Sequence, residues 1–184
     1  MRPNWFVAIP VESTIWLPQV LVDLPEECRG FDATDTHITL AFLGAMGEEK
    51  VDAVASVMRQ INEPIYTASL GPLRALPSPK RISALSFELD EGRDEVADLM
   101  ARWRDPLREA AGLAPESRDP LPHVTVARPI RKYKKAGREA ALAWVASTQP
   151  PVLTLRLDRV ALYTWAEDRR FCQFRTVVEH LFGV

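Results

Sequence analysis

The amino-acid sequence predicts an α+β fold: bilobal, two pseudo-symmetric lobes of antiparallel sheet with outer helices around a central cleft. Three observations predict it. Runs of strand length alternate with stretches that carry apolar residues at helical spacing. Two of the three histidines, His37 and His123 but not His180, sit in one frame, His37-Ile-Thr39-Leu and His123-Val-Thr125-Val. These frames lie 86 residues apart (37 to 123), and so do Pro64 and Pro150, which close the helical stretch after each. One residue of drift then aligns Leu70-Gly-Pro-Leu73 with Leu157-Asp-Arg-Val160, and Phe87 with Phe174. Each half therefore reads as His-x-Thr strand, helix, proline, strand, strand. The chain is expected to be one domain over 1–184 with pseudo-repeats at about 30–90 and 116–178, the N-terminal strand and helix completing the sheets.

Asn4 to Ile9 is a short apolar run closed by Pro10 and reads as a buried strand. Ser13 or Thr14 is placed to cap a helix through about Asp23, against the presence of Pro18. Pro25–Asp35 is acidic and irregular, a loop. Thr36–Leu43 is the first motif strand, with Ile38, Leu40 and Phe42 expected to face the core. Val51, Val54, Ala55, Met58 and Ile61 recur at helical spacing, which predicts a helix over Glu48–Asn62. Ile65–Leu70 and Leu73–Leu76 read as strand pieces broken by Gly71-Pro72. Pro77–Arg81 is a stiff basic turn, and Ile82–Leu89 is a strand. Asp94–Ala111 is a long helix with Pro106 inside it. Ala114–Pro122 is a loop that delivers the second motif strand, His123–Ala127. A helix over Lys135–Ser147, a strand over Val152–Leu157 and an antiparallel pair, Val160–Thr164 with Arg170–Val178, complete the chain.

Composition narrows the function. A net charge of −2 over 184 residues excludes a general nucleic-acid coat, so affinity for phosphate has to be local. Cys28 and Cys172 have neither metal-ligand spacing nor a disulfide framework and are expected as free thiols. The N-terminal apolar run is too short for a signal peptide or a membrane span. A cytoplasmic monomer without membrane attachment is expected.

In a strand, residues i and i+2 share a face, so His37 projects with Thr39 and His123 with Thr125. Two such strands at one cleft gather two imidazoles and two hydroxyls around a common point. Imidazole titrates near neutrality, so one ring can act as base and the other as acid. The hydroxyls can hold the non-bridging oxygens of an anion between them. That set suits in-line displacement at phosphorus with no metal and no cofactor. A single His-x-Thr is ordinarily just a hydrogen-bonded strand residue; the duplication makes it a site. A metal reading needs a third protein ligand, and His180 has no companion.

Arg128, Arg131, Lys132, Lys134, Lys135 and Arg138 follow the second motif with no acid among them. Such a run is often merely solvated. Its position beside His123 points to contact with a polyanion, with Arg128, Arg131 and Lys132 as substrate-binding candidates. Lys80 and Arg81 add to the same field. Phe42, Tyr163, Trp165 and Phe174 are candidate base-stacking aromatics, although Phe42 and Phe174 fit a core role better and Trp165 an exposed one.

Thr36-His-Ile-Thr-Leu-Ala-Phe-Leu-Gly44 and Pro122-His-Val-Thr-Val-Ala-Arg128 resemble the paired signatures of the 2H phosphoesterase superfamily, in its RNA 2′,3′-cyclic phosphodiesterase (2′-5′ RNA ligase) branch. Trp5–Pro10, Leu162-Tyr163 and Arg170–Phe182 resemble that branch's first strand and last hairpin. The resemblance implies a bilobal fold and opening of an RNA 2′,3′-cyclic phosphate to a 2′-phosphate. It implies His123 as proton acceptor, His37 as proton donor, and Thr39 and Thr125 as phosphate ligands. Joining of RNA ends through a 2′-5′ linkage uses the same groups by microscopic reversibility. Alternatives within reach are a sister activity on small cyclic nucleotides or 2′-5′ linked oligonucleotides, or a non-catalytic RNA-end binding module. Asp119–Pro122 and Tyr163-Thr-Trp165 depart from the branch's pattern near the cleft.

Overall fold

Residues 2–130 and 134–183 are described by the structure, a computed structural model. Arg131 and Lys132 lie outside the described residues. The chain runs β1 (Trp5–Pro10), α1 (Leu17–Val20), β2 (Cys28–Gly30), β3 (His37–Gly44), α2 (Val51–Met58), β4 (Tyr66–Ala68), β5 (Leu70–Ser78), β6 (Arg81–Leu89), α3 (Arg93–Ala110), β7 (His123–Pro129), α4 (Lys135–Ser147), β8 (Leu155–Leu157), β9 (Arg159–Trp165) and β10 (Phe174–Leu181). One antiparallel sheet has the order β10-β9-β1-β3-β7-β6-β5, with β2 also beside β7; β4 and β8 pair separately. This is the α+β antiparallel architecture expected from the sequence.

The lobes, however, do not coincide with the two halves of the sequence. The hairpin β5–β6, which follows the first motif, pairs with β7; the hairpin β9–β10, which follows the second, joins β1 beside β3. Edge availability explains the exchange. β1 takes the outer edge of β3 and β7 approaches the inner one, so the free edge open to the first hairpin belongs to β7. The two motif strands meet at one bridge, Ile38 opposite Val124. Beyond it β3 leaves β7, and Cys28–Gly30 takes over that edge of β7. The sequence reads this short strand as loop, because three residues carry no detectable period; the β7 backbone imposes the pairing.

One face of the sheet packs on the helices. Val7, Ile9, Ile38, Leu40, Leu85, Phe87, Val124 and Val126 are buried with Val54, Met58, Val96, Leu99 and Trp144 in the main core. The opposite face of β1 and β9 carries a smaller buried cluster, Phe6, Ala8, Ala161 and Tyr163, with Phe174 against it. Helices α3 and α4 fall where the spacing predicts, and α2 is shorter, preceded by a 3-10 turn over Glu48–Lys50. Gly92, at φ +75°, opens α3 where a Cβ would run into the Thr67 carbonyl. Gly71-Pro72 does not break β5. That strand lies at the sheet edge, and Pro72 falls in a register irregularity where its missing N–H breaks no ladder bond. Lys80 and Arg81 are exposed at the β5–β6 turn.

Candidate active site

The bridge at Ile38 and Val124 sets the geometry of the motifs. In an antiparallel pair, the register that opposes these two places His37 across from Thr125 and Thr39 across from His123, all four on the face away from the helices. The motif strands are thus neighbours in one sheet. Each strand then carries the same irregularity. β3 holds an extra residue, Leu40, between Thr39 (opposite Ala8) and Ala41 (opposite Val7). β7 holds Val126 between Thr125 (opposite Ser86) and Ala127 (opposite Leu85). A β-bulge reverses which face later residues occupy. Phe42 and Arg128, each five positions after its histidine, are thereby turned toward the site.

Phe42 is consequently not a core residue, as strict alternation had it. It is 49% exposed and lines the same cavity as His37 and Thr39, and Leu43 takes the core position instead. Tyr163 departs the other way. It is 4% exposed, stacked on Phe6 with ring centroids 5.1 Å apart and lying 5.7 Å from the His37 ring. It backs the site and offers no free face to a base. Trp165 and Phe174 line the cavity, as do Phe6 and Phe31, which sequence reasoning missed. Their signal was faint: Phe6 follows from alternation about Val7, but Phe31 lies in the stretch read as loop.

Both histidines are held alike. His37 Nδ1 lies 2.6 Å from the Asp35 carbonyl oxygen, and His123 Nδ1 lies 2.7 Å from that of Leu121. A carbonyl can only accept, so each ring carries its proton on Nδ1 and leaves Nε2 with a free lone pair. Phe6 stacks on His37 at 4.6 Å, and Phe174 meets it edge-on at 5.6 Å. Desolvation by this enclosure, together with the charges of Arg128 and His123, pulls His37 down to about 4 against the pull of the Asp35 carbonyl. His123 is also lowered, by burial first, while the Leu121 carbonyl and Glu88 act to raise it. These shifts favour the neutral form of both rings near pH 7; of the two, His37 lines the cavity and His123 does not. His180 lies elsewhere, its Nε2 3.1 Å from the Ile61 carbonyl oxygen.

The hydroxyls are not equivalent. Thr39 lines the cavity, whereas Thr125 is buried and its Oγ1 lies 3.0 Å from Ser86 Oγ on β6. Asp35, 1% exposed, presents its carbonyl to His37 and its carboxylate to the β9–β10 turn. There it accepts from Gln173 N (2.8 Å to each oxygen) and Phe174 N (3.0 Å). Burial holds its carboxyl above the usual range despite those bonds. The cavity, about 720 Å³, is also lined by Arg29, Arg128 and Arg169 and, among the described residues, by no acidic side chain. Arg128 lies over Phe31 at 5.3 Å. Lys134 and Arg138 do not line it, and Lys135 faces Glu139 at 3.8 Å. Among the described residues, no three His, Cys, Asp or Glu side chains are grouped to hold a metal ion.

Residues 25–169 match the family model of the 2′-5′ RNA ligase superfamily. The chain belongs to that family of enzymes. The match includes both motifs, as their pairing implied. The chain is 26% identical over 137 residues to an RNA 2′,3′-cyclic phosphodiesterase of Bacillus subtilis (strain 168), covering 70% of this chain and 72% of that protein. In fold it is similar to E. coli LigT complexed with 3′-AMP (TM-score 0.74, 19% identity, all of both chains) and to TT0787 of Thermus thermophilus (TM-score 0.71, 16% identity, 97% of each). Among the described residues, no helix is long and apolar enough to cross a membrane.

Proposed function

We propose that the protein hydrolyses RNA 2′,3′-cyclic phosphate ends to 2′-phosphates by metal-independent acid–base catalysis between His37 and His123. The observation that carries this is the matched pair of imidazoles, each fixed by a backbone carbonyl at Nδ1 and each with Nε2 free beside a motif threonine. Water attacks phosphorus and gives its proton to one Nε2. The P–O3′ bond breaks in line, and O3′ takes a proton from the other Nε2. Thr39 and Thr125 donate to the non-bridging oxygens, and Arg128 offsets the charge that builds there. A 5′-hydroxyl in place of water would join ends through a 2′-5′ linkage with the same groups. Phe42, Trp165 and Phe174 offer faces to the terminal base. The paired bulges at Leu40 and Val126 support descent of the two halves from one repeated unit. Two free cysteines suit a reducing compartment, and we place the reaction in the cytoplasm.

The acid has to be charged before it can donate. A bound phosphate anion supplies the opposite charge that raises a histidine pKa, so protonation of one ring accompanies substrate binding. The family resemblance gives the donor role to His37 and the acceptor role to His123. Glu88 beside His123, with no acid in the same position at His37, favours a second reading in which the roles are exchanged.

The reaction is tested by incubating the protein in EDTA with RNA bearing a 2′,3′-cyclic end and following the product by phosphorus NMR. A 2′-phosphate supports the proposal; absence of turnover, or turnover only with a divalent ion, overturns it. The roles are tested with a substrate whose 3′ bridging oxygen is sulfur, a leaving group that needs no proton. It should rescue His37→Ala and not His123→Ala, and the opposite pattern exchanges the roles.

A further inference from the structure

Three arginines stand on the cavity rim, and the motif chemistry accounts for one. Arg29 lies directly opposite Arg128 in the β2–β7 ladder, and its Nη2 donates to the Arg169 carbonyl at 3.1 Å. The Arg169 guanidinium lies over the Trp165 ring at 4.4 Å, with Nη2 donating to Gln173 Oε1 at 2.9 Å. Among the described residues, the partners of these two side chains are neutral. Among the described residues, no carboxylate forms an ion pair with Arg29, Arg128 or Arg169, whereas the adjacent Arg170 is paired with Asp168 at 2.7 Å. Two strands and a turn thus hold guanidinium groups in place with their charge uncompensated, an arrangement suited to bidentate capture of phosphate.

Their position selects which phosphate. From His37 the contacts run to Phe174 at 5.6 Å, across the β9–β10 pair to Trp165, and on to Arg169 at 4.4 Å. Those ring contacts plus one strand spacing put Arg169 within about 15 Å of the His37 ring. Aromatic rings fill the interval. The sequence phosphate site, aromatic wall, cationic site has the span of one nucleoside. Resting on the reaction proposed above, we infer that Arg29 and Arg169 form a second phosphate subsite. It takes the phosphate on the 5′ side of the terminal nucleoside, so that the enzyme prefers an oligonucleotide end to a nucleoside cyclic monophosphate.

The test compares kcat/KM for adenosine 2′,3′-cyclic phosphate, the same nucleotide with a 5′-phosphate, and a diadenylate with a 2′,3′-cyclic end. The two substrates with a 5′-side phosphate should be favoured, by about tenfold or more. Arg29→Ala and Arg169→Ala should each lower the ratio of diadenylate to mononucleotide about tenfold, and Arg29→Lys should restore part of it. A loss shared equally by all three substrates marks a merely structural effect and overturns the subsite. Binding keeps this separate from the reaction. A 5′-fluorescein tetranucleotide ending in a 2′-phosphate should lose affinity in fluorescence anisotropy when its last linkage is methylphosphonate. Arg29→Ala should remove that difference, and its affinity should fall less steeply with salt, by about 0.7 in the log–log slope per lost contact. If no cyclic substrate turns over and this binding difference remains, the proposed reaction fails and the subsite stands; if the wild type ignores the methylphosphonate, the subsite fails.

Discussion

Replacing Asp35 by alanine tests whether one buried carboxylate holds the site's two walls together. In the folded protein its oxygens accept the amides of Gln173 and Phe174, and its carbonyl accepts from His37. Alanine keeps the carbonyl and removes the carboxylate, leaving two backbone N–H groups without an acceptor. Each such group costs about 1–3 kcal/mol when fully buried. Gln173 and Phe174 are only half-buried, so water recovers part of this, and the desolvation cost of the carboxylate is relieved. The net loss should be about 2–3 kcal/mol, a fall in Tm of roughly 5–10 °C for a chain of this size. Asp35→Asn retains one acceptor oxygen and should lose about half as much. Calorimetry or circular dichroism reads the effect. Activity should fall with it through KM, since Phe174 and Trp165 ride on the released hairpin. A Tm drop under about 2 °C with unchanged KM would refute the argument.

Other outcomes follow from the same geometry. His37→Ala and His123→Ala should each lower kcat about 10²-fold or more while circular dichroism shows the fold intact; retained activity in either removes the acid–base pair. Phe42→Ala should cost under about 1 kcal/mol in a urea titration, against about 3–5 for a core phenylalanine, while raising KM. His37 is held near 4, below its unfolded value of about 6.5, so below pH 6.5 the unfolded chain binds the extra proton and stability falls as pH drops toward 4; His37→Phe, which keeps a ring among its aromatic neighbours, should flatten that part of the urea midpoint against pH. Ser86→Ala, which removes the partner of the Thr125 hydroxyl, should cost about 1 kcal/mol in the same titration.

Much of the site was legible because the motif repeats. The period of two in His-x-Thr fixes which side chains share a face, and the 86-residue spacing pairs the strands. The bulges were not legible, because nothing in Leu40-Ala41 or Val126-Ala127 separates an inserted residue from continued alternation. That single unknown sent Phe42 to the wrong face. Tyr163 was misplaced because an aromatic in an alternating strand reads the same whether it backs a site or fronts it. Helices α3 and α4 were predicted closely, their period being local, while the partners of the hairpins depend on which edges are free and no local pattern records that. Arg29 was hidden by its loop-like surroundings, and its role needed the β2–β7 pairing.

The exchange of hairpins between the halves also governs how the molecule comes into being. β1 has β9 as its outer neighbour, more than 150 residues later in the chain (Phe6 opposite Tyr163). Pairings that distant carry a large loop-closure cost and form slowly. A nascent chain truncated before Arg159 would lack the outer strands of the first lobe, while β5–β6 already had β7 to pair with. Assembly should therefore begin around the second histidine and end around the first. A half-made chain would lack the β9–β10 wall that carries Trp165 and Phe174 to the cavity.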